Sequence, residues 1–234
     1  MSTILRREFK AYFSSPIGYI LLAAFWALAG WYFYMSVLLT ATAELRNVFN
    51  AMGTISMFLI PIMTMRLFSE DKRLRTDQAL LTAPISLWEL VLGKFLSSLI
   101  IYAINVGIVL VFGITVSAFT SVEWPVTIGL FIGMMLFGGA MIAIGMFISS
   151  LTENQIIAAI GTFACLLSVG ILDNVAEIVD IPFIRNFLYA ISFNNRFYDF
   201  TLGVIQLKDV VFFLSVMFLF CYFTTRVFER RRYS

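Results

Sequence analysis

Apolar residues run in six long, nearly unbroken stretches, separated by shorter segments where charge and proline collect. The stretches cover roughly residues 16–40, 47–68, 88–118, 126–149, 155–173 and 209–226. An α-helix rises about 1.5 Å per residue, so about 20 residues cross the ~30 Å of a bilayer's hydrocarbon. The pattern therefore predicts an all-α, polytopic membrane protein with six transmembrane helices, in one domain spanning 1–234. The third stretch is longer than a bilayer needs and is expected to tilt or to reach the headgroups. Pro61 is expected to kink the second, because proline removes a backbone donor and crowds the preceding turn.

The segments between the stretches carry patterns of their own. Residues 2–14 place Ile4, Leu5, Phe9, Tyr12 and Phe13 at roughly helical spacing against Arg6, Arg7 and Lys10. This predicts an N-terminal interfacial helix, with Phe9 and Phe13 in the membrane surface and Arg6, Arg7 and Lys10 on anionic lipid. Residues 174–208 interleave aromatics with charges and with Asn186, Asn194 and Asn195. Short helices dipping into the opposite interface fit that mixture, and Phe183, Phe187, Phe193 and Phe197 are candidates for an outer gate. The fourth stretch holds Gly129, Gly133, Gly138, Gly139 and Gly145, which lets helix backbones approach closely, within the bundle or at a dimer contact.

Composition agrees: 61% of residues are hydrophobic and 13% are charged, against about 25% in soluble domains. The N-terminus has no cleavable signal pattern, since the apolar run behind it is too long and lacks a small-residue cleavage site. The absence of histidine excludes His-based triads and His-ligated metals. Cys165 and Cys221 fall inside apolar runs and read as packing residues. No phosphate-binding G-x-x-x-x-G-K-[ST] loop is present; Gly93-Lys94 is followed by Phe95. The net charge of +2 gives no nucleic-acid signal, because the positive residues sit at membrane edges. With the N-terminus inside, twelve of the 16 Lys and Arg fall on the inner face and four on the outer, which predicts cytoplasmic termini.

The most informative segment is the charged island from Arg66 to Lys94, which cannot lie in hydrocarbon. Ser69-Glu70-Asp71-Lys72-Arg73-Leu74-Arg75 is a compact charge cluster, followed by apolar Ala79, Leu80 and Leu81. Pro84 turns Ala83 away from helix, and Ser86 with Glu89 forms an S-x-x-E capping pattern before the next span. A helix, a sharp break and a capped helix into the membrane suit a docking surface for a soluble partner. Glu70, Asp71, Arg73 and Arg75 are expected to orient it, and Leu80, Leu81 and Pro84 to form an apolar knob.

This island, E-D-x-R-x-x-T-x-x-x-L-L-T-A-P-I-S followed by E-L-V-L-G-K, resembles the cytoplasmic loop of the ABC-2 type permeases. The start, R-R-E-F-K-A-Y-F-S-S-P-I-G-Y-I, and the fourth-span exit, G-M-F-I-S-S-L-T-E-N-Q-I-I-A-A, resemble the branch of GldF- and NosY-like permeases. Gln78 departs from the pattern, since many members carry glutamate there. The resemblance implies that residues 66–90 dock on a separate ATPase, with a second contact through Ser149–Gln155, including Glu153 and Asn154. It implies two copies of the ABC ATPase subunit, which carry ATP and Mg²⁺, so that this chain holds no cofactor. It also implies a second permease copy or a paralogue, with the first, second and fifth spans at the seam. A membrane-anchored extracytoplasmic partner often accompanies the branch, and the location is the plasma (inner) membrane of a prokaryote.

Two functions follow from that resemblance: a permease subunit, expected to be an exporter, or a mechanotransmitter whose ATPase-driven motion works on an extracytoplasmic partner. A channel or secondary carrier is disfavoured, because the span interiors are nearly free of ionisable residues, and Lys94 and Asp209 lie near ends where they can snorkel.

Overall fold

A computed structural model describes residues 2–40, 42–76 and 86–232. These residues are helical apart from short connections. Helix α1 covers Ser2–Ser14 and α2 covers Pro16–Phe33, continued by one π-helical turn, Tyr34–Leu38. Then follow α3 (Arg46–Thr64), α4 (Arg66–Arg73), α5 (Leu87–Ser117) and α6 (Trp124–Leu151). Helices α7 (Gln155–Ile178), α8 (Pro182–Ile191), α9 (Phe193–Thr201) and α10 (Leu207–Arg232) complete the chain. Among the described residues, six segments are long and apolar enough to cross a membrane, one for each predicted stretch.

Helix α6 is the centre of the bundle. It packs against α3, α4, α5, α7, α9 and α10, and 67% of its apolar stretch is buried, against 17% for α7. Glycine makes this possible. A Cβ at Gly133 would lie 2.6 Å from the Phe200 ring, and one at Gly139 would lie 2.6 Å from Met217. Cβ atoms at Gly138 and Gly145 would collide with Tyr102 and Thr64. Gly133, Gly138, Gly139 and Gly145 thus serve packing within the bundle. The peripheral helices instead present apolar faces outward: Trp31 and Leu38 near the end of the first span, Ile156 and Ile160 on α7, Leu214 and Phe218 on α10.

Several boundaries differ from the sequence reading. The second span does not stop near residue 68. Helix α3 passes Pro61, breaks only at Met65, and resumes as α4, so the first part of the island is a helical extension of the span. The fifth span runs to Ile178, which takes 174–178 out of the predicted interfacial segment. The rest of that segment holds α8 and α9, the two short helices that its mixed pattern implied. Ser86 precedes α5 in extended conformation, as an N-cap should, but its hydroxyl makes no capping hydrogen bond.

Candidate functional site

The island folds back on the bundle through four fastenings. The first is Lys94, one turn beyond Leu90 on α5, whose side chain is 2% exposed. Its ammonium pairs with Asp71 of α4 at 2.7 Å and Glu8 of α1 at 3.1 Å, and donates to the Leu67 carbonyl at 2.6 Å. It also lies 5.0 Å from the Phe68 ring centroid. Removing an ammonium from water is costly, and only a full set of acceptors offsets it. Arg7 pairs with Glu8 at 2.6 Å, so two cations face two carboxylates and the cluster is neutral.

The second fastening is Lys72, a buried residue that donates to the Ser150 carbonyl at the end of α6 and lies 5.8 Å from the Phe228 ring. The third is Ser149. Its hydroxyl accepts from the Phe68 and Ser69 backbone N–H groups at 3.1 and 3.2 Å and donates to the Met65 carbonyl at 2.9 Å. First-turn N–H groups have no partner inside their own helix, and here α6 supplies the cap that α4 lacks. The fourth is aromatic: Phe68 packs on Phe228 of α10 at 4.7 Å, and Arg66 lies 4.7 Å over the Tyr12 ring of α1. Burial pushes the Tyr12 phenol up to about 12.

These contacts divide the residues expected to face a partner. Asp71 is turned inward to Lys94 and also accepts from the Thr76 hydroxyl at 3.1 Å, so it is a fastening rather than a docking group. Glu70 is half-buried, whereas Arg73 and Arg75 are exposed. Arg75 has φ of 56°, a left-handed conformation that ends the α4 turn. Leu80, Leu81 and Pro84 lie outside the described residues. Arg73 meets Glu153, Asn154, Gln155 and Ile156 around one recess of about 480 Å³, so the island and the loop after the fourth span form one surface. Asn154 also acts within its own helix, where its side-chain oxygen accepts from Ile156 N at 2.9 Å and caps α7. Glu153 is exposed and caps nothing in this way.

On α1, Ile4 and Tyr12 are buried against the bundle, Phe9 and Phe13 are half-buried and 4.8 Å apart, and Arg6, Arg7 and Lys10 are exposed. The helix is therefore amphipathic, with its apolar side against the bundle and its basic side outward. At the far end, the four proposed gate residues do not converge. Phe193 and Phe197 are buried around Phe137, whereas Phe183 and Phe187 stand on the exposed face of α8. A hydrophobic core claims one pair and leaves the other to the surroundings. Beside the buried pair, a cavity of about 420 Å³ opens between α3, α7 and α9, lined by Asn50, Thr54, Met57, Phe137, Asn194 and Phe197 among others.

Sequence reasoning missed Glu8, Lys72, Ser149 and Ser150 as fastenings. It also placed Lys94 and Asp209 as snorkelling residues at span ends. Both are instead buried and paired, Lys94 with Asp71 and Glu8, and Asp209 with Arg196 at 2.9 Å. For Lys94 the available signal was a lone lysine early in an apolar helix, which marks a buried charge without naming its partner.

Six candidate spanning helices, an amphipathic N-terminal helix and a charged helical island bound to the bundle's end define a multi-pass membrane protein. The profile of the ABC-2 type transporter family matches residues 1–175, and the chain belongs to that family. It is therefore a membrane permease subunit of an ABC transporter, of a kind that typically pairs with an ABC ATPase subunit. A search of curated proteins finds no significant match.

Proposed function

We propose that this chain is the permease of an ATP-driven exporter of the GldF/NosY-like branch, in the inner membrane of a prokaryote. Two copies, or one copy and a paralogue, stand against two copies of a separate ATPase, which binds ATP and Mg²⁺. The basic end and both termini face the cytoplasm, in keeping with the Lys and Arg bias. The ATPase docks on Arg73, Arg75, Glu70 and Glu153, with Leu80, Leu81 and Pro84 as the apolar anchor. The solute follows the cavity between α3, α7 and α9, whose mixed lining of Asn, Thr, Met and Phe suits an amphiphile. A membrane-anchored extracytoplasmic partner joins at the α8–α9 end.

The observation that carries this reading is the way α4 is held. Its outer side offers Arg73 to the Glu153 loop, while Asp71, Lys72 and Phe68 bind it to α1, α5, α6 and α10. A push on α4 is thus passed to four helices instead of being absorbed by a slack loop. Charged rims mainly set encounter and specificity, whereas buried apolar anchors carry affinity.

Co-purification of the two subunits tests it, with the membrane level of this chain as control. Leu81→Asp is expected to lower ATPase binding by roughly ten- to a hundredfold, the loss of one anchor worth about 1–3 kcal/mol. Glu153→Ala is expected to act more mildly. Full ATPase retention and stimulated hydrolysis by Leu81→Asp would reduce the island to a linker and end this reading.

A further inference from the structure

At the opposite end of the bundle, a second charged site stands apart from the island. Arg196 of α9 pairs with Asp209 of α10 at 2.9 Å. Its Nε and Nη2 donate to the Ala190 carbonyl at 3.0 and 2.7 Å, and its guanidinium lies 4.1 Å over the Phe212 ring. Asp209 is wholly buried, yet its Oδ2 has no hydrogen-bond partner among the described residues. Lys208, which is 63% exposed, pairs loosely with Asp199 at 3.5 Å. These four charged residues, with Tyr189, Ala190 and Asn195, line a cavity of about 340 Å³.

The charges decide what such a cavity accepts. Two carboxylates and two cations make it neutral, so neither a simple anion nor a simple cation is strongly favoured. A dipolar ligand can answer both signs. The unpartnered Asp209 oxygen needs a donor with N–H bonds, which a primary ammonium has and a quaternary ammonium lacks. Lys208 offers a mobile cation for a phosphate.

Apolar surface leads away from the same place. On α10, Leu207, Val211, Leu214 and Phe218 are all exposed along one stripe, on the face turned away from Asp209. On α8, Phe183, Ile184 and Phe187 are exposed as well. Phe183 and Phe187 recur at helical spacing with Ala190, which lines the cavity, so the headgroup site continues into an apolar face that suits a ligand with acyl chains.

We propose that Asp209, Asp199, Arg196 and Lys208 bind the headgroup of a primary-amine phospholipid, in the leaflet at the α8–α9 end. The ammonium satisfies Asp209 Oδ2 and Asp199, the phosphate meets Lys208, and the acyl chains lie along the Phe183–Phe187 face of α8. This lipid is a structural ligand and does not depend on which solute the permease moves.

Delipidated protein in detergent, titrated with short-chain phosphatidylethanolamine, phosphatidylcholine and phosphatidylglycerol and read by native mass spectrometry, tests the site. Phosphatidylethanolamine is expected to bind roughly tenfold more tightly than either of the others, as one charge-assisted hydrogen bond to a buried acceptor allows. Asp209→Asn should abolish that preference. Asp199→Asn with Lys208→Ala, both partly exposed positions, should reduce it severalfold without moving the thermal unfolding midpoint, which keeps the test valid if Asp209→Asn misfolds. Equal binding of the three lipids would mean ordinary annular lipid and overturn the proposal. Displacement of the lipid by equimolar free O-phosphoethanolamine would overturn it too, by showing that the site takes a soluble solute.

Discussion

Lys94 is the residue on which the island end depends most. Its ammonium is buried and holds two carboxylates from two other helices. Removing one member of a buried ion cluster typically costs about 3–5 kcal/mol, because the remaining charges lose their partner. Lys94→Met is expected to lower the thermal unfolding midpoint in detergent clearly, and adding Asp71→Asn to recover part of the loss. At matched expression, the double variant should still retain the ATPase but show weaker stimulation of hydrolysis, because the exposed Arg73 surface remains while its tie to α5 is gone. Normal stimulation would show that force does not pass through Lys94. Tyr12 supplies a separate test. The unfolded chain releases a phenol proton near pH ~10, whereas the folded chain holds that of Tyr12 to about 12. Between these values the folded state binds more protons, so stability falls as pH rises. Tyr12→Phe is expected to flatten that alkaline decline without harm at neutral pH, since the buried hydroxyl has no partner among the described residues.

At the scale of elements, the glycines of α6 and the cap of α7 separate packing from docking. Gly133→Ala and Gly138→Ala put a methyl group against Phe200 and Tyr102, and overpacking of this kind costs about 1–3 kcal/mol. Gly129→Ala meets nothing closer than 3.9 Å and should be nearly neutral. Unfolding midpoints of the three variants check the order, and equal effects would refute α6 as the packed centre. On the adjoining loop, Asn154→Ala removes the α7 cap and should cost about 1 kcal/mol. Glu153→Arg, one residue away, should leave stability unchanged and weaken ATPase retention. The two neighbours looked alike in sequence, as polar residues in one motif; only the direction of each side chain tells them apart.

For the whole molecule, the contacts fix which segments share an end, and the proposed orientation sets that end in the cytoplasm. Glu8, Asp71, Lys94, Ser150 and Phe228 are joined, so α1, α4, the start of α5 and the ends of α6 and α10 lie together. Phe183 lies on α8, whose Ala190 carbonyl accepts from Arg196 at the other end. Arg75→Cys is expected to react with an impermeant thiol reagent only in inverted vesicles, and Phe183→Cys only in intact cells. Labelling of both from one side would refute the topology. A single copy leaves the α7 face with Ile156 and Ile160 exposed, and the proposed second copy would seat on that face. Ile160→Cys is accordingly expected to give a crosslinked dimer in native membranes, whereas Val211→Cys on the α10 stripe is not.

The number, order and approximate length of the spans were legible because a bilayer imposes one rule on every residue of a crossing helix: apolar side chains and about 20 residues. The N-terminal amphipathic helix and the helical character of the island's first part were legible for the related reason that amphipathic spacing is local. The partners of the buried charges were not. Lys94 meets Glu8 across 86 positions and Lys72 meets Ser150 across 78, and no local pattern records a distance of that kind. Nor does any local pattern show that Phe193 and Phe183 point to different surroundings, or that Ser149 caps a helix it does not belong to. Local hydrophobicity determined the elements, because burial in lipid acts on each segment separately. The tertiary structure alone decided which charges are silent fastenings and which remain for a partner, because that depends on how the segments meet.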